Sequence, residues 1–298
     1  MIANEPSGAP SFMASTDPVH LRRRKRADAI FRGLCFAAAA TGVIILIIFL
    51  GKIVVDGLPR LSWTFLTSEL SGRPNRTGIW PAVVGSLWIM GLTAALAVPV
   101  GVAAAVYLEE FNTRKTRLTE FIQLNISNLS GVPSIVYGLL GLAVFSRFMN
   151  LQDSVIAGAL TMGLLVLPMV IIVTQEALRA VPNSYREGSL ALGSTRWQAI
   201  RFQVLPAALP GIMTGVILAM SRAVGETAPL IAIGAASQVS APRGLRDEFT
   251  VLPIQVFDWS LNSKQAFHQT AASAILVLMA FLLLLNSVAI WLRARATK

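Results

Sequence analysis

The residues with the clearest chemical potential are Arg222 and Glu226, four positions apart in the stretch "SRAVGETAPL". A planar guanidinium donates paired hydrogen bonds to an oxyanion and keeps its charge at any working pH. A nearby carboxylate could hold the arginine when no anion is present, so that an anion is not trapped. Two interpretations stay open: a neutralising pair that fixes a helix bundle, or an arginine that lines an anion route. Ser221 and Thr227 could add hydroxyl donors, or could bond to their own helix backbone.

The run that precedes this pair, Phe202–Ser221, carries no charge and is long enough to enter a membrane. If its helix enters a bilayer near Pro210, Arg222 lies about 18 Å further on, past the midplane of a core about 30 Å thick. A charge at that depth is unfavourable and usually faces protein or water. We therefore expect the pair to face protein or water.

The composition of the 298 residues identifies the class of protein that must position these side chains. Hydrophobic residues make up 54% and charged residues 13%, and the mean hydropathy is +0.65. Because a soluble domain has about 25% charged residues, the composition predicts an integral membrane protein. The net charge of +10 comes largely from clusters beside apolar runs, such as "RRRKR" at Arg22–Arg26. This distribution is typical of basic cytoplasmic loops, and it does not indicate nucleic-acid binding.

Six charge-free runs are long enough to cross a bilayer, which takes about 20 residues. They are Gly33–Gly51, Thr77–Leu108, Phe121–Ser146, Ser154–Gln175, Phe202–Ser221 and Gln265–Leu292. Six spans put both termini on one side, and positive residues such as Arg114, Lys115 and Arg117 predict that this side is the cytoplasm. We expect a flexible basic cytoplasmic tail over 1–30, a first membrane helix and periplasmic loop over 31–77, and a transmembrane domain over 78–298.

The polar segment 183–205 predicts a helix–glycine–helix hairpin on the cytoplasmic side. Ser184 and Glu187 have the spacing of a capping box at the start of a first helix. Gly193 is typical of a helix end, and Ser194 could cap a second helix. Pro206 is then expected to begin the next membrane segment, where a missing N–H is tolerated. Apolar side chains on this hairpin favour docking into a groove of another protein, although packing on the chain's own bundle is the alternative.

Nothing in the sequence indicates a catalytic or metal site. The single cysteine, Cys35, begins the first apolar run, and the two histidines, His20 and His268, are far apart. The G-x-x-x-x-G-K-[ST] pattern of a nucleotide-binding loop does not occur. We therefore expect no enzymatic activity, no metal and no cofactor bound by this chain.

The hairpin resembles the "EAA" loop of ABC-transporter permeases, E-A-A-x3-G-x9-I-x-L-P. The positions that match are Glu187, Gly193, Leu205 and Pro206, whereas Gly188, Ser189 and Gln203 depart from the pattern. Longer segments are similar to the PstA family of phosphate-specific ABC importer permeases. They are "GVAAAVYLEEF", "GVPSIVYGLLGL", "EALRAVP", "REGSLALGSTRWQ", "VLPAALPGIMTGVIL", "GETAPL" and "LPIQVFDW", and the similarity runs from about Gly78 to the C-terminus.

This resemblance implies an all-α integral membrane protein with six transmembrane helices and the type I ABC importer (MetI-like) fold. It implies a heterodimer with a PstC-like permease in the bacterial cytoplasmic membrane, a PstB-like ATPase dimer and a periplasmic PstS-like phosphate-binding protein. ATP would be used by the ATPase partner, with Glu187, Gly193, Leu205 and Pro206 in the coupling loop. The resemblance also implies a functional role for Arg222, which we extend to Glu226 as part of the substrate pathway or gate.

Other functions remain as alternatives at this stage. An ABC importer permease could carry molybdate, sulfate or phosphonate instead of phosphate, because binding proteins impose most of the selectivity. A secondary transporter or channel could use the Arg222–Glu226 pair directly. The hairpin favours the importer, because a channel has no need of a cytoplasmic docking element.

Overall fold

The computed structural model describes residues 18–112, 116–235 and 240–296, and over these residues the chain is almost entirely helical. The α-helices are α1 (Pro18–Gly57), α2 (Trp63–Thr67), α3 (Trp80–Val106), α4 (Arg117–Ser130), α5 (Ser134–Gly141), α6 (Val155–Arg179), α7 (Asn183–Ala191), α8 (Arg196–Ala199), α9 (Leu205–Val224), α10 (Ala228–Ile233), α11 (Leu252–Leu261) and α12 (Gln265–Ala296). Three wider π-helical turns, Tyr107–Phe111, Leu142–Phe148 and Ile200–Val204, continue α3, α5 and α8. The two isolated strand-like residues in the described ranges are Ser154 and Glu248, which form one β-bridge.

Within the described residues, five helical stretches are long and apolar enough to cross a membrane. They are Ala27–Arg60, Trp80–Phe111, Val155–Arg179, Arg196–Val224 and Gln265–Arg295. A sixth candidate is the pair Arg117–Ser130 and Ser134–Phe148, which is bent by 101°. The predicted all-helical membrane class is therefore confirmed, with five or six spans depending on how the bent pair is counted.

The third predicted span, Phe121–Ser146, is wrong as a single straight helix, because α4 and α5 are separated by a sharp break. Pro133 lacks a backbone N–H and its ring disfavours a helical residue before it, which is why α4 ends at Ser130, three residues before the proline. The hydroxyl of Tyr137 donates to the carbonyl oxygen of Leu129 at 2.8 Å across the break. This bond satisfies a carbonyl at the end of α4 that has lost its helical partner.

Helix α1 begins at Pro18, so residues 18–30 of the predicted flexible tail are helical. Proline is favoured at the first position of a helix, and the Leu, Arg, Lys and Ala residues that follow are strong helix formers. The rest of that predicted tail, and the basic residues Arg114 and Lys115, lie outside the described residues. The chain divides into two compact units, one up to Lys52 and one from Ile53 to the C-terminus.

In the larger unit, helices α3, α6 and α9 form the core that positions the candidate site. Its fully buried side chains include Ile89 on α3 and Met162, Val166 and Val170 on α6. The "GIMTG" motif packs closely: a Cβ at Gly215 would lie 2.6 Å from the Cβ of Val173. Small residues at this four-residue spacing let two membrane helices approach each other closely. The two glycines of this motif, Gly211 and Gly215, therefore allow α9 to pack closely on α6.

Candidate functional site

The predicted hairpin is present, with helix α7 running from Asn183 to Ala191 and α8 starting at Arg196. Gly193 ends the first helix, as predicted, with a φ of +83°. Its N–H donates to the carbonyl oxygen of Leu190 at 2.9 Å. A left-handed residue just past a helix end is usually glycine, because a Cβ is disfavoured there.

Both predicted N-caps of the hairpin are wrong, by one or two positions. The N-cap position of α7 is Pro182, whose fixed φ lets the helix begin directly after it, so Ser184 lies inside the first turn. The second cap is Thr195, which forms a capping box with Gln198. Ser194 instead bonds back to Ser189, donating to its carbonyl oxygen at 2.7 Å. Neighbouring hydroxyl residues compete for one capping role, and tertiary contacts select among them.

Helix α9 begins at Leu205 with Pro206 in its first turn, as expected for the start of the membrane segment, but the chain is helical without interruption from Arg196 to Val224. The π-helical turn Ile200–Val204 comes directly before Leu205 and Pro206. A wider turn makes room for the proline ring and changes the bonding pattern where the proline N–H is missing. Leu205 and Pro206 therefore lie inside one continuous helical stretch that joins the hairpin to the membrane-spanning part of α9.

The hairpin exposes large apolar side chains at its tip and along one side. Leu192, beside the Gly193 turn, is 91% exposed. Other exposed apolar residues of the hairpin are Tyr185, Leu190, Trp197 and Phe202. A cleft of about 490 Å³ lies between the two halves of the hairpin and is lined by residues that include Tyr185, Gly188 and Leu192. Glu187 is exposed on α7. Apolar surface of this kind, rimmed by polar groups, is typical of a protein–protein contact.

The candidate pathway residues Arg222 and Glu226 lie at a helix end and do not share a regular helix. Helix α9 ends at Val224, and Glu226 follows Gly225 in the connection to α10. The Nε of Arg222 lies 3.8 Å from Oε1 of Glu226, beyond hydrogen-bond distance. The side chains are 65% and 21% exposed, respectively. This pair is a loose ion pair, and Arg222 has room to exchange partners.

The two hydroxyl residues beside the pair bond within the protein. Ser221 donates to the carbonyl oxygen of Ile217 at 2.7 Å and also contacts the side-chain oxygen of Asn286 on α12. Thr227 lies 3.5 Å from the carbonyl oxygen of Gly225. The interpretation that these hydroxyls bond to their own backbone is therefore the one that the structure favours.

The end of α9 lies level with the middle of α6. The two helices run antiparallel, and a Cβ added to Gly211 or Gly215 would lie 3.0 or 2.6 Å from the Cβ of Ala177 or Val173. Continuing this register places Arg222 at the level of Val166, near the middle of the 25-residue helix α6. Within a helix that spans a membrane, that level is close to the midplane.

The break between α4 and α5 lies at a similar level. The side-chain amides of Gln123 and Gln175 bond to each other at 3.1 and 2.9 Å, and Ile126 shares an apolar cluster with Ile171. Continuing this register also brings Gly131 to the middle of α6. Beyond the two breaks, α5 and α10 pack closely, since a Cβ at Gly138 would lie 2.7 Å from the Cβ of Ala232. Broken helices at mid-depth are typical of transport sites, because non-helical backbone is tolerated there only against protein or water.

Comparison with known proteins identifies the family. The sequence pattern described as "Binding-protein-dependent transport system inner membrane component" matches residues 97–298. The chain belongs to this family. It is 32% identical over 286 residues, 94% of the chain and 93% of the relative, to "Phosphate transport system permease protein PstA 1" of Mycobacterium tuberculosis (strain CDC 1551 / Oshkosh). It is 30% identical over 265 residues, 88% of the chain and 92% of the relative, to "Phosphate transport system permease protein PstA" of Haemophilus influenzae.

A solved structure of the MetNI methionine ABC transporter in an inward-facing conformation has the same fold as this permease. The TM-score is 0.55 at 18% sequence identity, and the match covers 74% of the chain and 95% of that chain. The predicted MetI-like ABC permease fold is confirmed by this likeness together with the family match.

Two ion pairs that the sequence did not predict lie at the root of the hairpin, and one of them anchors the hairpin itself. The consecutive residues Glu109 and Glu110, in the π-helical turn after α3, pair with Arg179 at the end of α6 and with Arg186 on α7. Arg186 is bonded to Glu110 across 76 positions of sequence. The available signal was the pair of acidic residues at the end of a long apolar run, but its partners depend on how the helices pack.

Proposed function

We propose that this permease imports inorganic phosphate across the bacterial cytoplasmic membrane as one subunit of an ATP-driven importer. The observation that carries the proposal is the match of the chain, over 94% of its length, with a relative named as a phosphate transport permease. A second relative of the same name, from another organism, matches over 88% of the chain. Both alignments extend well beyond the hairpin, so the likeness is not confined to a docking motif shared among importers.

The partners follow from the same proposal. The chain would form a heterodimer with a PstC-like permease, above a PstB-like ATPase dimer and below a periplasmic PstS-like phosphate-binding protein. Both termini and the hairpin would then lie in the cytoplasm. The chain itself would bind no cofactor, and ATP would be bound and hydrolysed by the ATPase partner.

The hairpin is the proposed contact with the ATPase. Leu192 and the other exposed apolar side chains of residues 183–205 would enter a groove on that subunit, with Glu187 at the polar rim. Gly193 would set the shape of the inserted turn. Leu205 and Pro206 would carry the motion into α9, because the helix is continuous from Arg196 to Val224. ATP binding would shift a two-state equilibrium between outward and inward access.

Arg222 is the proposed phosphate contact or gate, and Glu226 is its proposed alternative partner. A loose pair with an exposed guanidinium leaves hydrogen-bond donors free for the two oxygens of an anion. Return of Arg222 to Glu226 would help release the anion, because conduction needs binding that is weak enough to leave. Its position at the end of α9, level with the middle of α6, supports a place along the transport route.

Reconstitution in lipid vesicles with the three partner subunits tests the proposal. We expect ATP-dependent uptake of phosphate that exceeds the uptake of sulfate and molybdate. Preference for another oxyanion would assign the cargo differently while keeping the importer. Uptake that needs no ATP would contradict the importer and favour a secondary transporter or channel.

A further inference from the structure

The turn that anchors the hairpin contains a buried ion pair to which the proposed function assigns no role. We define the anchor turn as Tyr107–Phe111, the π-helical turn that ends the span of α3. Glu110 in this turn is buried, with 5% of its side chain exposed, and the side chain of Arg186 is 22% exposed. A charged group is seldom buried unless it is paired and hydrogen-bonded. The buried Glu110 carboxylate therefore depends on its contact with Arg186.

All three nitrogen atoms of the Arg186 guanidinium donate hydrogen bonds in this contact. Its Nε donates to both carboxylate oxygens of Glu110, at 3.2 and 3.1 Å, and its Nη2 lies 2.5 Å from Oε1. The same guanidinium donates to the carbonyl oxygens of Leu178 and Val181, both at 2.9 Å. Those carbonyls belong to the end of α6 and the link to α7. One side chain of the hairpin therefore ties together α3, α6 and α7.

The charge of this arginine is well secured. Its hydrogen bonds to Glu110 raise the pKa of Arg186 above its usual value, which outweighs the opposing effect of burial. The guanidinium therefore keeps its proton at every working pH. The contact is sensitive to displacement of the hairpin, because a buried guanidinium with several fixed hydrogen bonds tolerates little change in geometry.

The anchor turn also contacts the second half of the hairpin. Phe111 lies 6.2 Å from the ring of Trp197, centroid to centroid, and the guanidinium carbon of Arg196 lies 6.0 Å from the Phe111 ring centroid. Arg196 and Trp197 belong to α8, whereas Arg186 belongs to α7. Two adjacent residues of the anchor turn therefore contact the two different arms of the hairpin. Turns of the π type are frequent at functional sites.

We propose that Glu110 and Arg186 are positioning residues that couple the hairpin to α3, so that α3 is a further path for the motion besides α9. This inference rests on the proposed ATP-driven function. In the proposed mechanism the hairpin moves with the ATPase, and the anchor turn moves with both of its arms. Helix α3 packs along α6 through the core and so carries that movement to the level of the helix breaks.

The chain supplies a matched control in the neighbouring pair. Glu109 and Arg179 also form a salt bridge, at 2.8 Å, in the same turn and with the same residue types. Their side chains are 23% and 57% exposed, and Arg179 belongs to α6 and not to the hairpin. Glu109→Gln removes a charge from the anchor turn but none of the hydrogen bonds between Glu110 and Arg186 of α7.

The test compares Glu110→Gln, Arg186→Lys and Glu109→Gln in the reconstituted four-component importer, with phosphate uptake and ATP hydrolysis measured on the same vesicles. We expect the first two variants to assemble and hydrolyse ATP within about twofold of the parent, while phosphate imported per ATP falls about tenfold. Glu109→Gln should keep the parental ratio. Glu110→Asp retains the charge and should recover part of the ratio.

The inference is overturned if the ratio is unchanged in Glu110→Gln, or if it falls equally in Glu109→Gln. It is also overturned if hydrolysis and uptake fall together with loss of assembly, since that result shows a purely structural contact. Absence of ATP-driven phosphate uptake in the parent complex would instead contradict the proposed function, so the two failures are distinguishable.

Discussion

Among the Arg–Glu ion pairs of the described residues, two differ in almost every physical respect, although they use the same residue types. One joins residues 76 positions apart in sequence, and the other joins residues four positions apart. Arg186 and Glu110 form a buried, multiply bonded contact at the root of the hairpin. Arg222 and Glu226 form a loose contact at the end of α9, with an exposed guanidinium. Burial with good geometry makes an ion pair rigid, whereas exposure leaves it weak and exchangeable. The first pair is suited to transmit a motion, and the second is suited to change partners.

Removing the arginine of the rigid pair should give the largest effect on stability. Arg186→Ala leaves the Glu110 carboxylate buried without its partner, which costs about 3 kcal/mol, the low end for a buried pair. Thermal unfolding of the assembled importer should therefore begin at a clearly lower temperature. The matched control is Arg179→Ala, which removes a more exposed arginine from the same turn. Equal unfolding temperatures for the two variants would contradict the distinction between the pairs.

Removing the arginine of the loose pair should change transport and leave stability alone. Arg222→Ala deletes the charged donor that we propose for phosphate. Loss of hydrogen bonds to a charged group weakens binding by about tenfold to a hundredfold. Phosphate uptake by vesicles should fall by that factor, while the unfolding temperature stays at the parental value. Arg222→Lys keeps the charge but not the planar guanidinium, so its phosphate uptake should lie between those of the parent and Arg222→Ala. Parental uptake in Arg222→Ala would show that the pair is structural.

The comparison extends to the turn that shapes the docked end of the hairpin. Gly193 has a φ of +83°, and a Cβ there would meet nothing within 4 Å. Gly193→Val should therefore act only through backbone strain, of about 1–2 kcal/mol, and weaken ATPase binding about tenfold. Gly193→Asn is the control, because asparagine tolerates this conformation. Titration of the purified ATPase against the permease measures the binding affinity of each variant. Equally weak binding by Gly193→Val and Gly193→Asn would contradict backbone strain as the cause.

The smallest expected effect is at Glu226. Glu226→Gln removes the competitor for Arg222, so phosphate should be released more slowly and the maximal uptake rate should fall about threefold, a size typical of an exposed pair. Initial uptake rates at saturating phosphate measure it. An increased maximal rate in Glu226→Gln would show that the carboxylate obstructs the route and does not assist release.

The elements of this fold that depend on local patterns were predictable from the sequence. The apolar runs located the spans, and Gly193 marked the end of α7, since chain entropy and steric effects act within a few residues. The break before α5 was missed, although Gly131 and Pro133 stand in the sequence, because a proline inside a membrane span does not by itself specify a bend of 101°. The π-helical turns and the contact of Arg186 with Glu110 depend on packing across the fold, which no local pattern encodes.

The contact between Arg222 and Glu226 was predictable from the sequence, whereas its geometry was not. Arg222 and Glu226 were identified by their charge within an apolar region, and they are in contact. A spacing of four residues places two side chains on one face of a continuous helix, but α9 ends at Val224. Glycine at position 225 and proline at position 229 lie close to this end and are both unfavourable within a helix.

The most direct test of the difference between the two pairs is the reactivity of their arginines in the assembled importer. An arginine-directed reagent such as phenylglyoxal is applied with and without phosphate, and the modified residues are located by mass spectrometry of peptides. The account predicts that Arg222 reacts, that phosphate slows its reaction, and that Arg186 stays unmodified in both conditions. Modification of Arg222 at the same rate with and without phosphate, or of Arg186 as fast as Arg222, would contradict it.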